Sequence, residues 1–190
     1  MTLPSDAERS QLLFAHDTEV SLSATAALVN TGRSGNEELP DVAALDAFVA
    51  AWRWSGSRTH DQAELDAVKR LRPLLGRLWY MSKDEVADLV NSLLKQANAL
   101  PQLVKHDGWD YHLHATPSDA PLATRMAVEA AMGMADLVRT KELSRLRVCD
   151  YPSCDNVLVD LSKNRSKRFC DTGCGNRAAV DAYRARRRRA

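Results

Sequence analysis

Residues 149–177 read CDYPSCDNVLVDLSKNRSKRFCDTGCGNR and contain every cysteine of the 190-residue chain. The thiols form two close pairs, Cys149 with Cys154 and Cys170 with Cys174, with fifteen residues between the pairs. A short turn between two cysteines lets both thiolates reach one tetrahedral ion, at about 2.3 Å for zinc. Two such pairs fill all four coordination positions and leave none for a catalytic water, so the spacing predicts one structural Zn2+. The alternative is four unrelated buried cysteines. Their clustering into two pairs argues against it, and a reducing cytosol disfavours disulfides.

The intervening sequence predicts the rest of a small finger. Val157-Leu158-Val159 and Lys167-Arg168-Phe169 flank the polar stretch Ser162 to Ser166, which reads as a hairpin. The run from Asn176 to Arg184 reads as a helix with Thr172 as its cap. Cys174 then stands in the first turn of that helix, where the positive end of the helix dipole favours a thiolate. A knuckle, a hairpin and a last ligand at a helix start predict a treble-clef-like zinc finger with four cysteine ligands.

Upstream, the first 145 residues predict a mainly α body with one small β-hairpin. Leu45, Phe48, Val49 and Trp52 share a helical face after Asp41, and Val86, Leu89, Val90, Leu93 and Leu94 do so after Ser82. Between them Leu65, Val68, Leu71, Leu75 and Leu78 form a third stripe, which Pro73 is expected to kink or divide. Thr59 with Gln62, and Ser82 with Glu85, have the form of capping boxes. Leu103-Val104-Lys105 and Trp109 to His114 flank Asp107-Gly108 as a hairpin would. Helical spacing returns from Leu122 to Lys141, with Met126, Ala130, Met134 and Leu137 on one face, and Thr31 to Glu38 reads as a loop. These stripes are expected to close a core of their own before Leu143.

Charge is divided along the chain. Through Thr140 there are thirteen Lys/Arg and nineteen Asp/Glu; from Lys141 onward there are thirteen and six, within a net charge of +1. An acidic body with a basic terminus suggests a polyanionic partner. Lys163, Arg165, Lys167 and Arg168 lie on the finger, and Arg177, Arg184, Arg186, Arg187, Arg188 and Arg189 follow it. Arginines at this density bind phosphates along a duplex, and a helix fits the major groove, where Arg pairs with guanine and Asn176 is a candidate reader of adenine. A local structural bond is the other reading of Asn176, and a solvated tail that of the basic end. RNA or an acidic protein surface are further partners for it.

Other candidates are fewer. His112 and His114 alternate on the expected strand and point to one side, as a metal or anion ligand pair would, though histidines so placed are more often ordinary surface residues. Trp52, Trp54, Trp79 and Trp109 read as core. No phosphate loop, nucleophile elbow or catalytic carboxylate pair is present, which argues against an enzyme. The first residues lack a secretory pattern, and no segment is apolar enough to span a membrane, so a cytoplasmic, nucleoid-associated protein is expected.

The tetrapeptide Cys174-Gly175-Asn176-Arg177, with Cys149, Cys154 and Cys170 ahead of it and the intervening Val157 to Asp160 and Lys167 to Cys170, resembles the CGNR zinc finger. In that family the finger follows an N-terminal domain called ABATE. The segment Ala27 to Thr31 and the hairpin Trp109 to His114 before a long helix are similar to that domain. The resemblance implies a helical sensor or interaction domain over residues 1–142 and a finger over 143–190. It also implies a zinc-dependent DNA-binding transcription regulator that responds to stress or to a ligand. A homodimer and a small-molecule effector are expected with it. The rival readings are a protein-interaction module whose N-terminal pocket binds a metabolite, and an enzyme using His112 and His114.

Overall fold

The computed structural model describes residues 13–105, 108 and 110–188. Helices α1 (His16–Asn30), α2 (Val42–Trp52), α3 (Gln62–Gly76), α4 (Lys83–Gln96) and α5 (Leu122–Arg139) make the body. Two antiparallel strand pairs, β1 (Gln102–Val104) with β2 (His112–His114) and β3 (Leu146–Val148) with β4 (Val157–Val159), and helix α6 (Thr172–Arg187) complete it. No helix among the described residues is long and apolar enough to cross a membrane.

The expected α5 stripe is the centre of the core: Met126, Ala130, Met134 and Leu137 are at most 1 % exposed. Helices α1, α3 and α4 all pack against α5. Helix α1 approaches closely at Gly133, where a Cβ would stand 3.2 Å from Leu22, and Ser21 Oγ donates to the Glu129 carbonyl at 2.7 Å. The α2, α3 and α4 stripes supply Leu45, Leu65, Val68, Leu75 and Val86, each fully buried.

Helix starts differ from the sequence reading in one place here. Ser82 and Glu85 form the capping box, but α3 is capped by Asp61, which accepts from Glu64 N at 2.8 Å. A carboxylate accepts more strongly than a threonine hydroxyl at a helix start, where partial positive charge collects. Glu64 bonds the Thr59 amide instead. Pro73 lies within α3 without ending it, because Leu71, Arg72, Leu75 and Gly76 around it are buried in packed contacts; a helical turn, Arg77–Trp79, follows.

Strands β1 and β2 pair in the register Gln102↔His114, Leu103↔Leu113, Val104↔His112. The strands are thus joined through residues 105–111 and not by a two-residue turn. Asp107 and Trp109 lie outside the described residues. Trp79 is buried, and Trp54 packs against the core.

After α2 the chain turns at Gly56, whose φ of +94° suits glycine. A side chain there would strike the Arg125 guanidinium and the Ser118 carbonyl. Arg125 is 4 % exposed and donates to the carbonyls of Ser55, Ser57 and Ser118, tying this turn to α5. Gly56→Ala is therefore expected to cost about 2 to 4 kcal/mol, through strain and loss of these bonds. Thermal unfolding checks it; an unchanged midpoint would mean that the Arg125 anchor is dispensable.

The core does not end at Leu143. Val157 and Val159 of β4 belong to the same cluster as α1, α3 and α5. The Trp79 indole donates to the Leu158 carbonyl at 2.9 Å. Asn30 places its side-chain amide along β4 as a strand neighbour would: its Nδ2 donates to Val157 O at 2.9 Å and its Oδ1 accepts from Val157 N at 2.8 Å. The body stripes thus meet apolar residues that the sequence reading gave to the finger alone.

Candidate metal centre

Strand β3 leads directly into Cys149, and the turn to Cys154 is closed by Cys154 N donating to Tyr151 O at 2.9 Å. The chain then returns as β4, in the register Leu146↔Val159, Arg147↔Leu158, Val148↔Val157. This corrects the expected hairpin: the partner of Val157–Val159 is Leu146–Val148 and not Lys167–Phe169. Asp160, fully buried, accounts for the difference. Its carboxylate accepts from Ser162 N, Ser162 Oγ and Lys167 N, and so folds 160–167 into a loop. Burial alone would raise the Asp160 pKa, but these donors and Arg147 hold it below the ordinary carboxylate range.

The returning chain makes one backbone-to-backbone bridge to the knuckle among the described residues, Asp150 N donating to Arg168 O at 2.9 Å, and then delivers Cys170. Helix α6 follows at once. Its cap is Asp171, one residue before the expected Thr172, and it accepts from Cys174 N at 2.7 Å. The carboxylate again outcompetes the hydroxyl.

The four sulfurs lie within 4.8 Å of one another. Cys170 Sγ is 3.7 Å from both Cys154 Sγ and Cys174 Sγ. Sulfurs arranged tetrahedrally at about 2.3 Å from one ion would stand roughly 3.8 Å apart, so these residues fit one zinc ion. Leu158, Tyr151 and Phe169 pack around them and limit water. Burial pushes the Cys170 and Cys174 thiols up. A cluster of this kind therefore favours its thiolate form through a cation.

Arg177 completes the surroundings. Its Nη2 is 2.9 Å from Cys174 Sγ, and its guanidinium lies 4.8 Å over the Tyr151 ring. Tyr151 OH donates to Asp181 Oδ2 at 3.3 Å, which joins helix and knuckle. Four thiolates around Zn2+ carry a net double negative charge, and the Arg177 cation faces it.

The other basic residues divide in two. Arg165 pairs with Glu142 at 2.7 Å, and Arg168 pairs with Asp150 at 2.8 Å and lies over Phe169. Lys163, Lys167, Arg184, Arg187 and Arg188 are exposed and make no ion pair among the described residues, and Asn176 is exposed beside them. Cys174 is the one buried residue of α6. At 3.6 residues per turn Val180, Tyr183, Arg184, Arg187 and Arg188 share one side of this helix, with Arg186 opposite. Arg189 lies outside the described residues.

His112 and His114 do face the same side, with their Nε2 atoms 2.9 Å apart. Among the described residues the four cysteines are the one group of side chains placed to hold a metal ion, and the histidine pair is not part of another.

The ABATE family, described as "Putative stress-induced transcription regulator", matches residues 22–141, more than half of the chain. The chain belongs to the ABATE family. The CGNR zinc finger matches residues 145–187 of this ABATE chain and takes in all four cysteines. No curated protein matches the chain at a significant level. The residues that sequence reasoning missed in this ABATE protein are Asp160, Asp171 and Asn30. Asp171 stands directly before the helix and was available as a cap; Asp160 and Asn30 act through contacts that no local pattern encodes.

Proposed function

We propose that this ABATE protein is a zinc-dependent DNA-binding transcription regulator of the cytoplasm and nucleoid, with residues 1–142 as its sensing part and 143–190 as its DNA-binding part. The observation that carries the proposal is helix α6, held to the knuckle through Cys174, Arg177 and Asp181 and exposed from Ala179 onward, with Arg184, Arg187 and Arg188 on one side. Such a helix enters a major groove with its arginines at phosphates and base edges, and Val180 and Tyr183 between them offer apolar contact to thymine methyls. One helix reads few base pairs, so a homodimer on two half-sites is part of the proposal.

The test is fluorescence anisotropy of labelled duplex DNA across a salt series. Changing Arg184, Arg187 and Arg188 together to Ala should leave zinc content unchanged and flatten the slope of log affinity against log salt by about 2.7, roughly 0.9 for each phosphate contact. Lys163 and Lys167 should act in the same direction with smaller effect. A triple variant with the parent's slope removes the DNA reading. The exposed Val180 and Tyr183, 47 % and 54 % exposed, then favour a protein partner for the same helix.

A further inference from the structure

The body holds a cavity of about 720 Å3 between α1, the end of α2, β2 and α5. That is room for a small organic molecule. Trp52, Trp54, Leu94 and Met132 give it an apolar wall. Two polar groups on its wall lack a hydrogen bond among the described residues: the Glu129 carboxylate, on the central helix α5, and the buried Trp54 indole N–H. A carboxylate surrounded by protein without a donor is costly unless something answers its charge.

The Arg125 charge acts on the Glu129 carboxylate, but no neighbouring group donates a hydrogen bond to it among the described residues. Arg125 donates through its two Nη atoms to the carbonyls of Ser55, Ser57 and Ser118, and its buried Nε–H has no partner, so none of its donors bonds Glu129. Arg139 pairs with Asp136. Asp17 and Asp136, both on the cavity wall, add negative charge, so the three acids there outnumber Arg53 and Arg139. Asp17 and Asp136 already accept from Leu113 N and Thr18 Oγ1. The acids also argue against the anion that His112 and His114 suggested in the sequence. Those two rings bond each other, and no metal group includes them among the described residues.

We infer that this cavity binds a small organic cation, with an ammonium or amidinium group on the Glu129 carboxylate and an apolar or aromatic body against Trp52 and Trp54. Burial pushes Glu129 up to about 7, against the pull of Arg125 and with the help of Asp17. A bound cation reverses that by stabilising the ionised form. Aromatic walls add cation–π attraction for the same ligand class. Neither step requires that α6 bind DNA.

Three probes of one shape and different charge test it: phenethylamine, phenethyl alcohol and phenylacetate, titrated against the full zinc-loaded chain at about pH 8, with tryptophan fluorescence and thermal shift as readouts. The amine should bind at least about tenfold more tightly than the alcohol, and phenylacetate more weakly than either. Glu129→Gln should bring the amine to the alcohol's affinity and leave the alcohol's own unchanged. Equal binding of amine and alcohol, tighter binding of phenylacetate, absence of binding by all three, or an amine preference that survives Glu129→Gln overturns the inference. If Glu129→Gln does not fold, the ranking of the three probes on the native chain decides alone.

Discussion

Cys174→Ser is expected to take the zinc content of the purified chain from about one ion to none, with loss of the ordered finger. Cys174 carries two tasks: its sulfur lies 3.7 Å from Cys170 Sγ, and it is the one residue by which α6 is buried. Serine supplies neither a thiolate nor apolar packing. Structural zinc binding contributes on the order of 10 kcal/mol in small fingers, far more than this segment's few buried side chains. The same loss should follow acidification, because the ligands bind as thiolates: as pH falls, protons compete for the four sulfurs and zinc leaves; as pH rises, it is retained. Metal analysis by mass spectrometry, with far-UV circular dichroism, checks both. A chain that keeps an ordered α6 with no zinc in it would exclude the metal centre.

The cysteines were legible because a tetrahedral ion imposes a spacing that survives in the sequence. Helix stripes were legible for a similar reason, since Met126, Ala130, Met134 and Leu137 must return every three or four residues to face one core. Other features depend on competition or on distance. The caps of α3 and α6 fell to Asp61 and Asp171, each within two residues of the threonine expected, because several polar residues near a helix start compete for the same amides. The partner of β4 was misread since Val157-Leu158-Val159 states only that a strand exists there. What chooses Leu146–Val148 is Asp160, whose carboxylate gathers the next seven residues into a loop. Glu129 is invisible in the sequence: on α5 it occupies what a helical pattern reads as an ordinary polar position. Its consequence appears only when α1, β2 and the end of α2 close around it.

A chain truncated after Leu143 is expected to lose cooperative folding, although the boundary between the two matched families falls near that point. Truncation removes Val157 and Val159 from the main cluster, each worth about 1.5 to 3 kcal/mol of buried apolar surface. It also strips the Trp79 indole of its acceptor, an unmet buried donor that costs about 1 to 3 kcal/mol. Asn30 loses both of its bonds to β4. Together these reach on the order of 5 kcal/mol or more, comparable with the whole stability of a domain. The truncated chain should bind a hydrophobic dye and show weak near-UV dichroism while keeping much of its helical signal. Asn30→Ala in the full chain isolates part of the effect, with an expected loss of about 1 to 3 kcal/mol. A truncated chain that unfolds cooperatively at the parent's midpoint would show that β4 is a passenger on the body. If instead it is molten, β4 is shared structure: α1 holds it on one side, and Leu158 of the same strand packs against Cys149 and Cys174 on the other. Loss of zinc would then be felt in the helical core, and tightening of that core by a ligand would be felt at the finger.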